Sequence, residues 1–354
     1  MRFPRPSRDI LVLVLAIVFS VIGLGFVYGL TVLQFLKDGL VVGSIYVLGA
    51  TGLSLIFGIR KFANFAHGEL MTFGAYMAFV VNVLWAADIF WGLVFAVATT
   101  AGIAMAMELL VFRKLAGKGP VPALVASIGI TIFLQNLVNL TFGTSIQIYN
   151  LKVAVDIDLL VVNGTTVLSI NPLKGILTLV VAIALIVLLH LLLSRTTLGK
   201  AMRATADNPD LARTSGIKIR NVILWTWVIS GAMAAVAGVL LGIVTDVRPG
   251  LGFHILLFVF AAVIVGGLGS PYGAMLGGLI VGIAQALATA FLGWLGRPSV
   301  IGLQNPTTYS PIAAFLIMIL VLLLRPGGLV SGKMASMSSG RRKIRLPFRL
   351  RREA

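Results

Sequence analysis

Residues 173–193 read LKGILTLVVAIALIVLLHLLL, and after Lys174 the one strongly polar side chain in them is His190. As a helix rising about 1.5 Å per residue, a run of this length crosses a hydrocarbon core roughly 30 Å thick. It is continuous rather than alternating, so it does not fit the strand of a membrane barrel. A helix also satisfies its own backbone hydrogen bonds, which lipid cannot do. Working outward, comparable apolar segments lie at 10–30, 35–58, 69–85, 90–112, 121–142, 222–244, 254–269, 272–292 and 310–325. The sequence predicts an all-α, polytopic helical membrane protein with about ten transmembrane segments.

Composition supports this class. Of the 354 residues, 59% are hydrophobic and 11% charged, against about 25% charged in soluble domains. Arg2, Arg5 and Arg8 precede the first segment in the manner of a signal peptide. That segment is longer than a signal h-region and no small-x-small cleavage site follows. It reads as an uncleaved first helix.

The net charge of +17 is confined to short stretches. With the N-terminus inside, 23 of the 28 Lys and Arg fall in inner segments, leaving Lys37, Lys152, Lys174, Arg248 and Arg297. The positive-inside bias then puts both termini in the cytoplasm and supports an even helix count. Topology and anionic lipid headgroups account for the cations, and nucleic acid is not an expected partner.

There is no cysteine, which excludes thiol catalysis, disulfides and thiolate metal sites. No H-E-x-x-H, no metal-spaced cluster and no G-x-S-x-G is present. The string nearest to a P-loop, Ala116-Gly117-Lys118-Gly119, lacks the first glycine and the hydroxyl residue. The chain is therefore expected to be no enzyme, with no catalytic residue, metal or cofactor of its own.

The outer segment 143–172 alternates through Ile146, Ile148, Leu151, Val153, Val155 and Ile157, and continues through Asn163-Gly164 into a second β-branched run. Asn-Gly between such runs predicts a small external β-hairpin. Gly266, Gly267 and Gly269, followed by Ser270-Pro271, read as a tight turn between two helices. Gly269, Gly273 and Gly277 form a stripe for close helix packing. The alternative reading of this cluster is a broken helix lining a path.

Polar groups at membrane depth are costly, so each is a candidate site. Asn64, His67 and Glu69 fall together at an inner helix end, either as a cap with an interfacial ion pair or as a gate element. Glu108 is near Arg113 and Lys114 and suggests an interfacial salt bridge. His190 reads as interfacial. Asp246, Arg248 and His254 suit an outer loop or docking surface.

The inner loop 194–221 is the most informative. Asn208 suits an N-cap, Pro209 the first helical position, and Asp210 the positive helix end. Leu211, Ala212 and Ser215 can share a face, and Gly216 supplies a left-handed stop. Two turns of helix are not stable alone in water, so this one must pack on its flanks or on a partner.

Several stretches, in order, resemble the LivH-type permeases of branched-chain amino-acid ABC importers. They are Gly39-Leu40-Val41-Val42-Gly43-Ser44-Ile45-Tyr46, Gly52-Leu53-Ser54-Leu55-Ile56-Phe57-Gly58, and Asn64-Phe65-Ala66-His67-Gly68-Glu69. Arg203-Ala204 with Asn208-Pro209 through Gly216-Ile217, the Gly266-Gly267-Leu268-Gly269-Ser270 run, and Arg325-Pro326-x-Gly328-Leu329 complete the resemblance, which covers roughly 35–332. Urea and amide importers look similar, and the helix at 10–30 departs from shorter members.

The resemblance implies an inner-membrane, multi-pass permease that moves small neutral amino acids by alternating access. Its partners would be a second, LivM-like permease, two cytoplasmic P-loop ATPases that bind the ATP, and a periplasmic solute-binding protein. It implies that Ala206, Asn208, Pro209, Leu211, Ala212, Arg213 and Gly216 couple to an ATPase. Asn64, His67, Glu69, Gly266, Gly267 and Gly269 are candidates for the path or gate. The expected organisation is a basic N-terminus with an extra helix (1–34), a permease domain (35–325) and a basic cytoplasmic tail (326–354). The permease domain would contain the hairpin (143–172) and the coupling loop (194–221).

Overall fold

The computed structural model describes residues 8–330 apart from 153, 163, 298, 299, 302, 303 and 326, with the backbone alone described over 8–16. The basic tail, Pro326, Val153, Asn163, Arg2 and Arg5 thus lie outside the described residues.

All ten predicted segments are helical. α1 (Arg8–Tyr28) runs through a 3-10 turn at Gly29–Thr31 into α2 (Val32–Arg60). α3 (Ala66–Phe79) and α4 (Ile89–Met107) each end in a π turn, at Val80–Leu84 and Glu108–Phe112. α5 (Pro120–Phe142) follows, then β1 (Ile157–Val162) and β2 (Thr165–Ile170). A π turn at Pro172–Leu177 opens α6 (Thr178–Arg195). The short α7 (Thr197–Asp207) and α8 (Pro209–Thr214) precede α9 (Ile219–Val244). α10 (Leu251–Gly266), α11 (Pro271–Leu295) and α12 (Pro311–Leu324) complete the chain. Among the described residues, seven stretches are long and apolar enough to cross a membrane, the first being the 44 residues Ile17–Arg60.

The core is built where α2, α3, α9, α10 and α11 meet, through small residues. Lipid is as apolar as a leucine side chain, so helices in a membrane are held by close approach rather than by escape from water. A Cβ on Gly39 would lie 2.9 Å from the Cα of Ile283, and one on Gly278 would lie 2.7 Å from the amide of Val47. These glycines seat α11 against α2. Likewise Gly74 brings α3 against Ala235 of α9, where a Cβ would lie 2.6 Å from a backbone carbon. Gly273 and Gly277 pack on α10, as the glycine stripe predicts. Gly269 does not join them: it stands in the α10–α11 turn with φ +79° and faces Gly58. α5 and α6 form the periphery and show broad apolar faces outward.

The hairpin forms, but its first arm is not where the alternation begins. Val162 pairs with Thr165 and Ile157 with Ile170. Residues 143–152 and 154–156 form no strand of the hairpin. Gln147 pairs instead with Val247, and the Tyr149 hydroxyl donates to the carbonyl of Ala75. The upstream alternation is consumed by contacts with α3 and the α9–α10 loop. His190 is exposed in the last two turns of α6, and its Nδ1 lies 3.0 Å from the Tyr272 hydroxyl of α11, a partner too remote in sequence to be read from it.

Candidate functional site

The loop between α6 and α9 holds two helices, not one. α7 was not foreseen, although Thr196 caps it by accepting from the Gly199 amide at 3.0 Å, and Leu198, Met202 and Thr205 recur on one face. α8 forms as the sequence predicts. Asn208 Oδ1 accepts from the amides of Asp210 (3.1 Å) and Leu211 (3.0 Å), and Pro209 occupies the first position. Gly216, at φ +82°, ends the helix while the Ile217 amide donates to Ala212.

The expected shared face is split. Ala212 is buried against the protein, whereas Leu211 is 64% exposed and Ser215 and Arg213 are exposed with it. Ala206 lies at the end of α7, and its carbonyl accepts from Lys61 Nζ at 3.4 Å.

Lys61 belongs to the second cluster, at the α2–α3 junction. It caps α2 in the left-handed region, at φ +57°. Just before it, Arg60 forms a forked, largely buried ion pair with Glu108. Nη2 meets one carboxylate oxygen and Nε lies 3.2 Å from the other. Sequence proximity suggested Arg113 or Lys114 for Glu108. The fold instead brings α2 to the π turn of α4, leaving Arg113 and Lys114 exposed. Just after it, Phe62 stacks on Phe112 (5.0 Å between ring centroids), and Phe112 on Trp227 of α9 (4.9 Å).

Asn64, His67 and Glu69 follow, and all three are buried. Asn64 Oδ1 accepts from the amide of Ala66, the first residue of α3, at 3.2 Å, although Phe65 and not Asn64 stands at the N-cap. The expected ion pair fails: His67 and Glu69 do not meet. The His67 ring crosses to α2, where Nε2 donates to the Gly49 carbonyl at 2.9 Å. Gly52 leaves room for that ring, since a Cβ there would lie 3.0 Å from His67 Cε1. The Ser230 hydroxyl of α9 donates to the Gly52 carbonyl, and Thr72 accepts from the Gly252 amide of α10. The Glu69 carboxylate, 1% exposed, is approached by Thr72 one turn on, but neither oxygen makes a hydrogen bond of good geometry. Buried carboxylates without donors are expensive and mark functional candidates within membranes. Ser230 and Thr72 are remote in sequence and carry no motif, so the sequence could not assign them to this cluster.

Gly266, Gly267 and Gly269 stand apart from both clusters. Their turn receives the C-terminal segment: the Leu329 amide donates to Val265 and the Val330 amide to Gly266, at 2.9 and 3.0 Å. Gly267 (φ +117°) and Gly328 (φ +77°) touch backbone to backbone, so two distant stretches of sequence form one joint.

Residues 35–322 match the family described as branched-chain amino acid transport system / permease component. The chain is 34% identical to the high-affinity branched-chain amino acid transport system permease protein LivH of Escherichia coli, over 84% of this chain and 95% of that protein. It is 35% identical to BraD of Pseudomonas aeruginosa, with the same coverage. A probable LivH of Methanocaldococcus jannaschii is 32% identical over 83% of this chain and 91% of the relative. By its sequence along nearly the whole permease region, the chain belongs to the branched-chain amino acid transport system permease family.

Proposed function

We propose that this chain is the membrane-crossing subunit of an ATP-driven importer for branched-chain or other small neutral amino acids. The observation that carries the reading is α8, a capped two-turn helix that holds Leu211 outward beside Arg213. Such a helix gives a partner that hydrolyses ATP a surface to push. In this reading Ala206, Asn208, Pro209, Leu211, Ala212, Arg213 and Gly216 form the coupling element. The motors are two cytoplasmic P-loop ATPases, the path is completed by a second permease, and a periplasmic binding protein delivers the solute. Asn64, His67, Glu69 and the Gly266-Gly267-Gly269 turn respond to the motor as gate or path elements.

The same reading gives ten crossings. α1, of 21 residues, and α2, of 29 residues, are divided at Gly29 (φ +58°), and at about 1.5 Å per residue each is long enough for one passage of a core of about 30 Å. α3 with its π turn, and α10, are the two shorter crossings. With the basic segments inside, both termini are cytoplasmic and the β1–β2 hairpin is external. The named relatives support an amino acid over urea or an amide as solute.

The test is purification of the tagged full-length chain in mild detergent from cells carrying its neighbouring genes. Two P-loop ATPases and a second permease should come with it, and Leu211→Asp should release the ATPases while leaving the permease pair intact. Recovery of the chain alone or as a homodimer would overturn the importer reading.

A further inference from the structure

The Lys61 side chain reaches from one of the two clusters described above to the other. Lys61 stands in the left-handed region at φ +57°, a conformation that glycine or asparagine adopts more readily than lysine. Capping alone would therefore favour another residue. What a lysine adds is reach. Its ammonium leaves the α2–α3 turn and meets the Ala206 carbonyl across 145 residues of sequence, at 3.4 Å. Asp207 is the neighbouring carboxylate that favours its charge, against the effect of partial burial. Ala206 and Asp207 directly precede Asn208, the cap of α8.

The turn that Lys61 leaves is held firmly on its other sides. Arg60 is fixed to Glu108 of the α4 π turn. Phe62 is stacked through Phe112 onto Trp227 of α9. The Phe65 amide donates to Ser127 of α5 at 3.1 Å. His67 and Glu69 follow within two turns of helix. A displacement of α8 that carries the end of α7 with it thus acts on the start of α3 through Lys61, while Arg60 and Phe62 serve as the pivot.

We propose that Lys61 is a positioning residue that transmits movement of the α7–α8 loop to the buried His67–Glu69 segment. This rests on the reading of α8 as the coupling helix. The side chain makes no contact with solute in this scheme. Its contribution is to the stoichiometry of coupling, and the turn itself does not require it.

The experiment uses the complete importer in proteoliposomes, with ATP hydrolysis and leucine uptake measured together. Lys61→Gly suits the backbone and removes the link, whereas Lys61→Arg retains a cation of similar reach. Lys61→Gly should lower leucine moved per ATP hydrolysed at least fivefold, and Lys61→Arg should restore it to within about twofold of the parent. A Lys61→Gly complex with the parental ratio would overturn the proposal, and so would an arginine variant as uncoupled as the glycine one. The underlying reading is tested apart, by whether Leu211→Asp releases the ATPases. If they remain bound to that variant, the coupling-helix reading fails whatever Lys61 does.

Discussion

The Arg60–Glu108 pair shows how much depends on a partner once charges leave water. Both side chains are largely buried, at 13% and 3% exposure. Burial of an ion pair gives little net stability, but loss of one member leaves the other uncompensated, at about 3–5 kcal/mol. Glu108→Ala should therefore lower the melting temperature of the purified protein markedly. A double Arg60→Met, Glu108→Leu variant should recover much of the loss. Equal melting of the single variant and the parent would show that solvent already screens the pair. At the next cluster, no good donor reaches Glu69, while His67 donates to the Gly49 carbonyl. Changing either to Ala should uncouple ATP hydrolysis from uptake in the assembled importer, with the protein still present in the membrane. Loss of the protein itself would instead identify these side chains as fold-stabilising.

At the scale of the element, α8 depends on its ends. Six residues cannot sustain a helix by propagation alone. Asn208 satisfies two amides at one end, and Gly216 at φ +82° turns the chain at the other. No neighbouring atom crowds Gly216, so backbone conformation alone selects glycine there. Gly216→Val should then abolish uptake without affecting insertion, because a β-branched residue resists the left-handed region. Uptake at the parental rate would count against α8 as coupling element. The α2–α11 contact presents the opposite case, where space selects glycine. A Cβ on Gly282 would fall on the backbone of Gly43. Gly282→Val should force the helices apart and reduce the folded fraction in detergent, as read by size-exclusion chromatography. The same substitution at Gly102, which has open space around it, should be tolerated.

At the scale of the molecule, the protein is a multi-pass inner-membrane permease whose packed centre is α2, α3, α9, α10 and α11. The fold class was legible because lipid imposes it: runs such as 173–193 have no other way to satisfy their backbone. The α8 cap, the hairpin turn and the α10–α11 turn were legible because each rests on local chemistry of Asn, Pro and Gly. The 3-10 continuity of α1 with α2, the start of β1 and the existence of α7 were not, because neighbouring contacts set them. Within the candidate site, the sequence named Asn64, His67, Glu69 and Glu108 as costly polar groups in an apolar chain, since that cost follows from residue type alone. It could not find Arg60 opposite Glu108, Gly49 opposite His67, or Gly328 on Gly267. Those pairings join distant parts of the chain, and only the packed helices bring them within reach.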